Sequence, residues 1–353
     1  MLIRAMDRLG DLSDAWNAAV RAMPHPSPFL LSWWVDHAAT HRPVVLCCFE
    51  GDELVGGAAF EVDHVGRGPV RLERVRLLGQ GPLAPDHLDV IGAADHRQEV
   101  AELVTFWLQR AGQRIVDLDG LSADGALAAA LTGAGHVVTD RIGAPWAALP
   151  ASGDEYLAAR PGQLRSTAKR ARKRLDADGA TIRTVDAARA DEALADLARL
   201  HDGRWADESE FLRSWKTFER AAVAGMRDGS VIISELVAAD GDVVATELDL
   251  ATTDDRGRRT LAFYQAGRRT EHEWRGAGTA LRAAVIGAAC DVGVAEYDLL
   301  RGDESYKSDW ASERRELLRI RFGVGRIGTA AATAAGRWKQ RQDRRAERAL
   351  PDR

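Results

Sequence analysis

Two short strings in the C-terminal half of this chain combine residue types that could do chemistry. Arg275-Gly276-Ala277-Gly278-Thr279 sets two glycines and a hydroxyl at the start of a long apolar helix, with Arg268 and Arg269 just upstream. A helix start offers backbone N–H donors, and glycines let an anion approach with no Cβ in the way. That string suits a pyrophosphate. Arg301-Gly302-Asp303-Glu304-Ser305-Tyr306-Lys307 follows an apolar strand directly. It gathers carboxylates, a phenol and an amine, the types that move protons and stabilise anions. The residues alone leave two plainer readings open: a glycine loop that merely opens a helix, and a helix-capping Asp303 with solvated neighbours.

The elements that must position these strings are legible. Residues 231–239 are rich in β-branched types, Asp240-Gly241-Asp242 is a tight-turn signal, and residues 243–252 alternate like a half-buried strand. Asp254-Asp255-Arg256-Gly257 turns the chain into a third strand at 259–267, and residues 295–300 read as a buried strand after the helix. Glu247 and Asp249 lie two apart and so share one strand face. That face either meets a cleft, where the pair would bind an ammonium or act as a base, or it is solvated.

The order strand, strand, strand, R-G-x-G-T, helix, strand resembles the acyl-CoA-binding core of the GCN5-related N-acetyltransferase (GNAT) superfamily. Tyr264-Gln265-Ala266-Gly267 and Gly302-Asp303-Glu304-x-Tyr306-Lys307-x-x-Trp310 resemble its CelD-like or BioF2-like branch, a relative of the FemABX peptidyl transferases. Residues 165–179 and Leu200-His201-x-x-Arg204-Trp205 extend the likeness upstream. The wider superfamily pattern, Q/R-x-x-G-x-G/A, would put its first residue at Glu273, which is acidic here.

The resemblance implies acetyl-CoA or another acyl-CoA as co-substrate and no metal. Its pyrophosphate would rest on Arg275, Gly276, Ala277, Gly278 and Thr279, with Arg268 adding charge. Tyr306 would protonate the departing thiolate, Lys307 would stabilise an oxyanion or an anionic substrate group, and Asp303 would accept a proton or hold an ammonium. Tyr264 and Gln265 would run beside the acyl chain. His201, Trp205, Arg165, Glu247 and Asp249 would face the acceptor, an amine on a small molecule or cell-envelope precursor. The expected activity is N-acyl transfer, most simply N-acetylation. A FemX-like transfer from aminoacyl-tRNA is the alternative enzyme, and a non-catalytic accessory role in polysaccharide synthesis is the alternative from another class.

The first half repeats the pattern of the second. Phe49 to Val55 reads as strand, turn, strand, and Asp95-His96-Arg97-Gln98 is a capping-box candidate for a helix with Val100, Leu103, Val104, Trp107 and Leu108 on one face. A strand at 115–118 follows. The acidic lead into that helix, Asp89 to Asp95, would repel a pyrophosphate, so the first half is expected to serve as scaffold or acceptor wall. Residues 79–86 form a loop that could line a shared cleft. The expected fold is α/β, two tandem GNAT-like halves at 1–150 and 151–328, each a mixed sheet flanked by helices, with a basic Ala/Arg-rich tail at 329–353.

Residues 162–178 read as a helix with Leu164, Ala168, Ala171 and Leu175 on a narrow packing stripe. Its other faces hold most of the seven basic residues between Arg160 and Arg174. Arg165 would reach a carboxylate or phosphate on the acceptor, and the rest read as a solvated face, so a tRNA partner is disfavoured. The 353 residues carry 46% hydrophobic and 29% charged types with net charge −5, which gives no reason to expect DNA. Cys47, Cys48 and Cys290 are odd in number and set in apolar runs, as buried thiols in a reducing compartment would be. No stretch reaches the ~20 apolar residues of a membrane span, and the expected location is cytoplasmic.

Overall fold

The computed structural model describes residues 1–67, 70–110, 112–205 and 210–334, with the side chains of Arg67, Val70, Arg204 and Trp205 outside that set. Most of the expected basic tail, Trp338 included, therefore lies outside the described residues.

The first half runs β1 (Leu2–Met6), α1 (Ser13–Arg21), α2 (Ser32–Val35), β2 (Arg42–Glu50), β3 (Glu53–Arg67), β4 (Val70–Leu77) and β5 (Ile91–Gly92). It ends with α3 (Ala94–Gln109), β6 (Arg114–Ser122), α4 (Ala126–Gly133) and β7 (Val138–Ala148). The second half begins α5 (Gly153–Ala158), α6 (Gly162–Ala177), β8 (Thr181–Thr184), α7 (Ala190–Trp205) and α8 (Trp215–Asp228). It continues β9 (Val231–Val237), β10 (Val243–Thr253), β11 (Arg259–Arg268), α9 (Ala277–Asp291), β12 (Glu296–Asp298), α10 (Ser305–Trp310) and β13 (Glu313–Val324). No described helix is long and apolar enough to cross a membrane.

The halves repeat one another. In each, an antiparallel meander leads to a helix and then to a strand parallel to the last of the meander: β4 with β6, β11 with β12. Glycines at positive φ close the matching hairpins, Gly51 at +60° between β2 and β3 and Gly241 at +94° between β9 and β10. In the second turn Asp240 also accepts from Asp242 N–H at 3.0 Å, a geometry that Asp-Gly sequences favour.

The two sheets are one. Among the described residues the strand order is β1-β2-β3-β4-β6-β13-β7-β12-β11-β10-β9-β8, with β5 on β3. The last strand of each half has crossed over: β13 pairs with β6, and β7 pairs with β12. The main apolar core is continuous across the halves, joining Trp16, Trp34 and Phe60 to Leu194, Phe218, Leu248 and Tyr264. A second core lies on the opposite face, where α5, α6 and α9 pack on β9 to β12.

Two local expectations need correction. β10 is buried along both faces, not half-buried, because helices cover the second half's sheet on both sides. The capping box at Asp95 does not form: Ala93 occupies the N-cap with no side-chain bond, and Asp95 lies inside the first turn. The stripe on α6 is as expected, with Leu164, Ala168, Ala171 and Leu175 buried.

Charge fastens the crossed strand. Asp117 on β6 is buried and accepts from Arg319 at 2.8 Å and Arg321 at 2.7 Å, both on β13. Burial alone would raise this carboxyl, but the two guanidiniums hold it below the ordinary aspartate value of 3.8. The folded carboxylate therefore binds a proton less readily than the unfolded one. Its stabilisation is complete above 3.8 and is lost as pH falls through the lower folded value. Asp117→Asn should destabilise the protein by about 3 kcal/mol at neutral pH, because two arginines lose a buried partner. Denaturant melts should show that difference shrinking once the pH drops below 3.8. A difference that stays constant with pH would mean the carboxylate charge plays no part.

Candidate active site

β11 and β12 stay together only briefly. Their parallel register ends at Ala262 and Asp298, yet β11 continues to Arg268. The chain after β12 leans the other way, with Leu299 N–H donating to Pro145 O at 2.8 Å and Gly302 N–H to Gly143 O at 3.0 Å. Leu300 makes the turn at φ +56°, a strained value for a bulky side chain. On the β10 side Leu248 faces Gln265 and Asp249 faces Phe263, so Tyr264 is the extra residue of a bulge. Such a bulge re-aims side chains and frees backbone groups. The opening is a cavity of about 310 Å³ with Phe263 to Ala266 on one wall and Leu299 to Arg301 on the other.

Leu83, Ala84 and Asp86 of the first half close this cavity. Arg301 donates its backbone N–H to Asp86 at 2.6 Å, pairs with the same carboxylate through its guanidinium, and reaches Asp119 at 3.2 Å and Pro85 O at 2.7 Å. Tyr264 O–H donates to Leu83 O at 2.7 Å. His87 lies 3.0 Å from buried Asp298. Burial alone would lower the His87 imidazole, but the facing carboxylate holds it above its usual value. The first half's equivalent opening, between β4 and β6, is filled. Gln80 accepts there from Leu77 and Asp119 N–H groups, and Leu88 bonds with Gly120 and Ser122. The loop that plugs one half is thus the wall of the other.

α10 brings Tyr306 and Lys307 to the cavity, Tyr306 38% exposed and Lys307 buried. Lys307 Nζ donates to Arg301 O and lies 3.2 Å from Glu304. His201 is buried and lines the same cavity from α7, with Tyr264 and Gln265 opposite.

The other expected residues go elsewhere. Asp303 is exposed, pairs with Arg314 at 2.6 Å and does not line the cavity, since α10 starts only at Ser305. Arg165 is exposed and donates to Ala158 O at 3.1 Å, because the stripe of α6 turns that helix onto α9. The Trp205 side chain lies outside the described residues.

Glu247 and Asp249 take neither expected position. They are fully buried beneath α9. Tyr297 O–H meets Glu247 at 2.9 Å and Asp249 at 3.0 Å, and Arg282 donates to Glu247 at 3.0 Å. Burial, reinforced by the Glu247 charge, pushes the Asp249 carboxyl well above the ordinary range. Burial also raises Glu247, against the pull of Arg282 and Tyr297. Arg282 pairs with Glu247, and Asp249 meets the Tyr297 hydroxyl instead. Arg282 had no signal in the sequence beyond being a lone cation in an apolar helix.

Beyond the cavity, β11 leads to the N-terminus of α9. Gly276 is the N-cap at φ +84°, and no side chain caps the helix. The first intrahelical bond is Ala280 N–H to Gly276 O at 2.9 Å, which leaves the N–H groups of Ala277, Gly278 and Thr279 without a helical acceptor. Arg268 lies beside Gly278, where an added Cβ would stand 3.3 Å from Arg268 Cδ. Arg275 is exposed, with its carbonyl taken by Arg174 at 2.6 Å. Arg269 is drawn to Glu271 at 2.9 Å, while Arg268 and Arg275 are among the cations near that helix start. Trp274 Nε1 is buried there with no acceptor. Glycine, N–H donors, two cations and an orphaned donor fit a pyrophosphate, and exposed Glu273 does not enter that set.

The comparisons with known proteins agree with this geometry. Residues 162–308 match the family described as acetyltransferase (GNAT) domain. Among solved structures, FemX is similar with TM-score 0.61 at 12% identity, over 89% of this chain and 96% of that one. The C-terminal domain (DUF2156) of a putative lysylphosphatidylglycerol synthetase from Agrobacterium fabrum gives 0.55 at 12% identity, over 92% and 95%. L-PGS from Bacillus licheniformis gives 0.52 at 12% identity, over 83% and 88%. No curated protein sequence matches this chain. The chain is a transferase, and its residues 162–308 are similar to GNAT-type acetyltransferase domains.

Proposed function

We propose that the protein is an acyl-CoA-dependent N-acyltransferase, most simply an N-acetyltransferase, that modifies an amine on a small molecule or cell-envelope precursor. The observation that carries this reading is continuity. The splayed β11–β12 cavity, the Tyr264 bulge and the open N-terminus of α9 follow one another along a single strand. A thioester carbonyl in the cavity and a pyrophosphate on the first turn of α9 are the two ends of one acyl-CoA. Transfer from aminoacyl-tRNA would require a longer cationic track, whereas α6 turns one face inward and Arg172 is paired with Asp176 at 2.8 Å.

In this reading the acceptor nitrogen attacks the thioester carbonyl carbon, the C–N bond forms and the C–S bond breaks. Tyr306 gives its phenolic proton to the departing thiolate. The proton shed by the nitrogen restores the phenol through water, so the balance is amine plus thioester to amide plus thiol. Lys307 has three N–H donors, of which Arg301 O and Glu304 take two, leaving one for a substrate oxygen. The clamped loop at 83–87 shields the cavity and forms the acceptor side.

Acetyl-CoA at ~100 times its dissociation constant should stabilise the protein by roughly 2.7 kcal/mol in a thermal-shift series. Gly278→Asp should abolish that gain with the fold intact, because a Cβ there meets only the flexible Arg268 side chain. Normal acetyl-CoA binding by that variant would move the donor site elsewhere. Tyr306→Phe should lower turnover by about 10²-fold, the scale of general acid loss, with little change in acetyl-CoA affinity. Unchanged turnover would reduce Tyr306 to a wall residue.

A further inference from the structure

Arg282 is an unusual residue to find where it stands. It lies on the inner face of α9, 7% exposed, among Ala, Val and Ile. Its guanidinium carbon is 3.7 Å from the ring centroid of Phe263, 5.6 Å from that of Tyr306 and 5.8 Å from that of Trp310. Its Nε is tied to Glu247 at 3.0 Å. An apolar pair of similar volume would hold such a site at least as well, since desolvating two charges is costly. Stability alone does not account for this cation.

We propose that Arg282, anchored by Glu247, sets the ionisation of the Tyr306 phenol. A cation fixed near the ring favours the phenolate, and a phenol whose phenolate is favoured gives up its proton more readily. Glu247 fixes the guanidinium from below, so the charge cannot swing out to solvent.

Other charges face the phenol's surroundings. Lys307 sits on its own helix and pairs with Glu304 at the N-cap, and Arg301, just past β12, is neutralised by Asp86. His201 and Glu210 reach the cavity from the far wall, and the Tyr297 phenol bridges the two carboxylates below. The role makes Arg282 a positioning residue, and it rests on the reading of Tyr306 as the proton donor.

The chain has four tyrosines, which makes the test direct. Tyr156 is pushed to about 12 by burial, and burial lifts Tyr264 and Tyr297 well above 10. In the intact protein, the earliest rise of tyrosinate absorbance on alkaline titration should therefore belong to Tyr306, and Tyr306→Phe should remove it. Arg282→Met should move that rise to higher pH and lower kcat by roughly 10-fold. Its KM for acetyl-CoA should stay within about two-fold. Arg282→Lys should restore most of both changes, and a purely structural role would give no such rescue in the titration. If Arg282→Met alone fails to fold, the double variant Arg282→Met with Glu247→Met replaces the ion pair by apolar packing and is titrated instead. An early rise that stays in place in a folded variant lacking Arg282 would overturn the proposal. A Tyr306→Phe enzyme with parental turnover, beside a shifted rise in Arg282→Met, would sink the proton-donor reading while upholding the electrostatic link.

Discussion

Arg301 leaves the end of β12 with its backbone N–H and its guanidinium both committed to Asp86, a carboxylate with no exposed surface. A buried carboxylate needs a partner of opposite charge and saturated hydrogen bonds, and this one obtains both from one residue of the other half. The clamp fixes three things together. It holds the loop at 83–87 against the second half and keeps the chain after β12 apart from β11. Through Arg301 O it also gives Lys307 its seat.

The crossed strands make that clamp possible. With β13 beside β6 and β7 beside β12, neither half can shift without breaking ladders in both. The cavity is therefore built on a continuous sheet, where small displacements are costly. The same arrangement explains the asymmetry between two halves of one topology. Gln80 and Leu88 spend the polar groups of the loop inside the first half's own opening, and the outer side of that loop becomes a wall for the second.

Beneath the cavity the charges follow low-dielectric rules. Two carboxylates and one arginine share a buried site, so burial raises both carboxyls while Arg282 pairs with Glu247. This produces a fixed cation under an aromatic wall. The free thiols show the same effect of burial: Cys47 and Cys48 are pushed to about 11 and about 12, which keeps them as neutral thiols.

Local chemistry determined much of this protein. Asp-Gly turns, the α6 stripe and the glycines before α9 depend on neighbours a few residues away, so hairpins, helix and helix start were legible from the chain alone. Tyr264, Gln265, His201, Tyr306 and Lys307, singled out from strings that run into or out of those elements, all line one cavity. Tertiary structure decided the rest. Whether Glu247 and Asp249 met a cleft or solvent depended on α9 lying over β10, and the answer was neither. Asp303 and Arg165 turned outward because α10 begins just past the one and α6 rolls the other away. No spacing rule links Asp86 to Arg301 or Arg282 to Tyr306, since each pair lies on elements that meet only once the sheet is assembled. Side-chain periodicity tells which face of an element is apolar; only packing tells what that face is packed against.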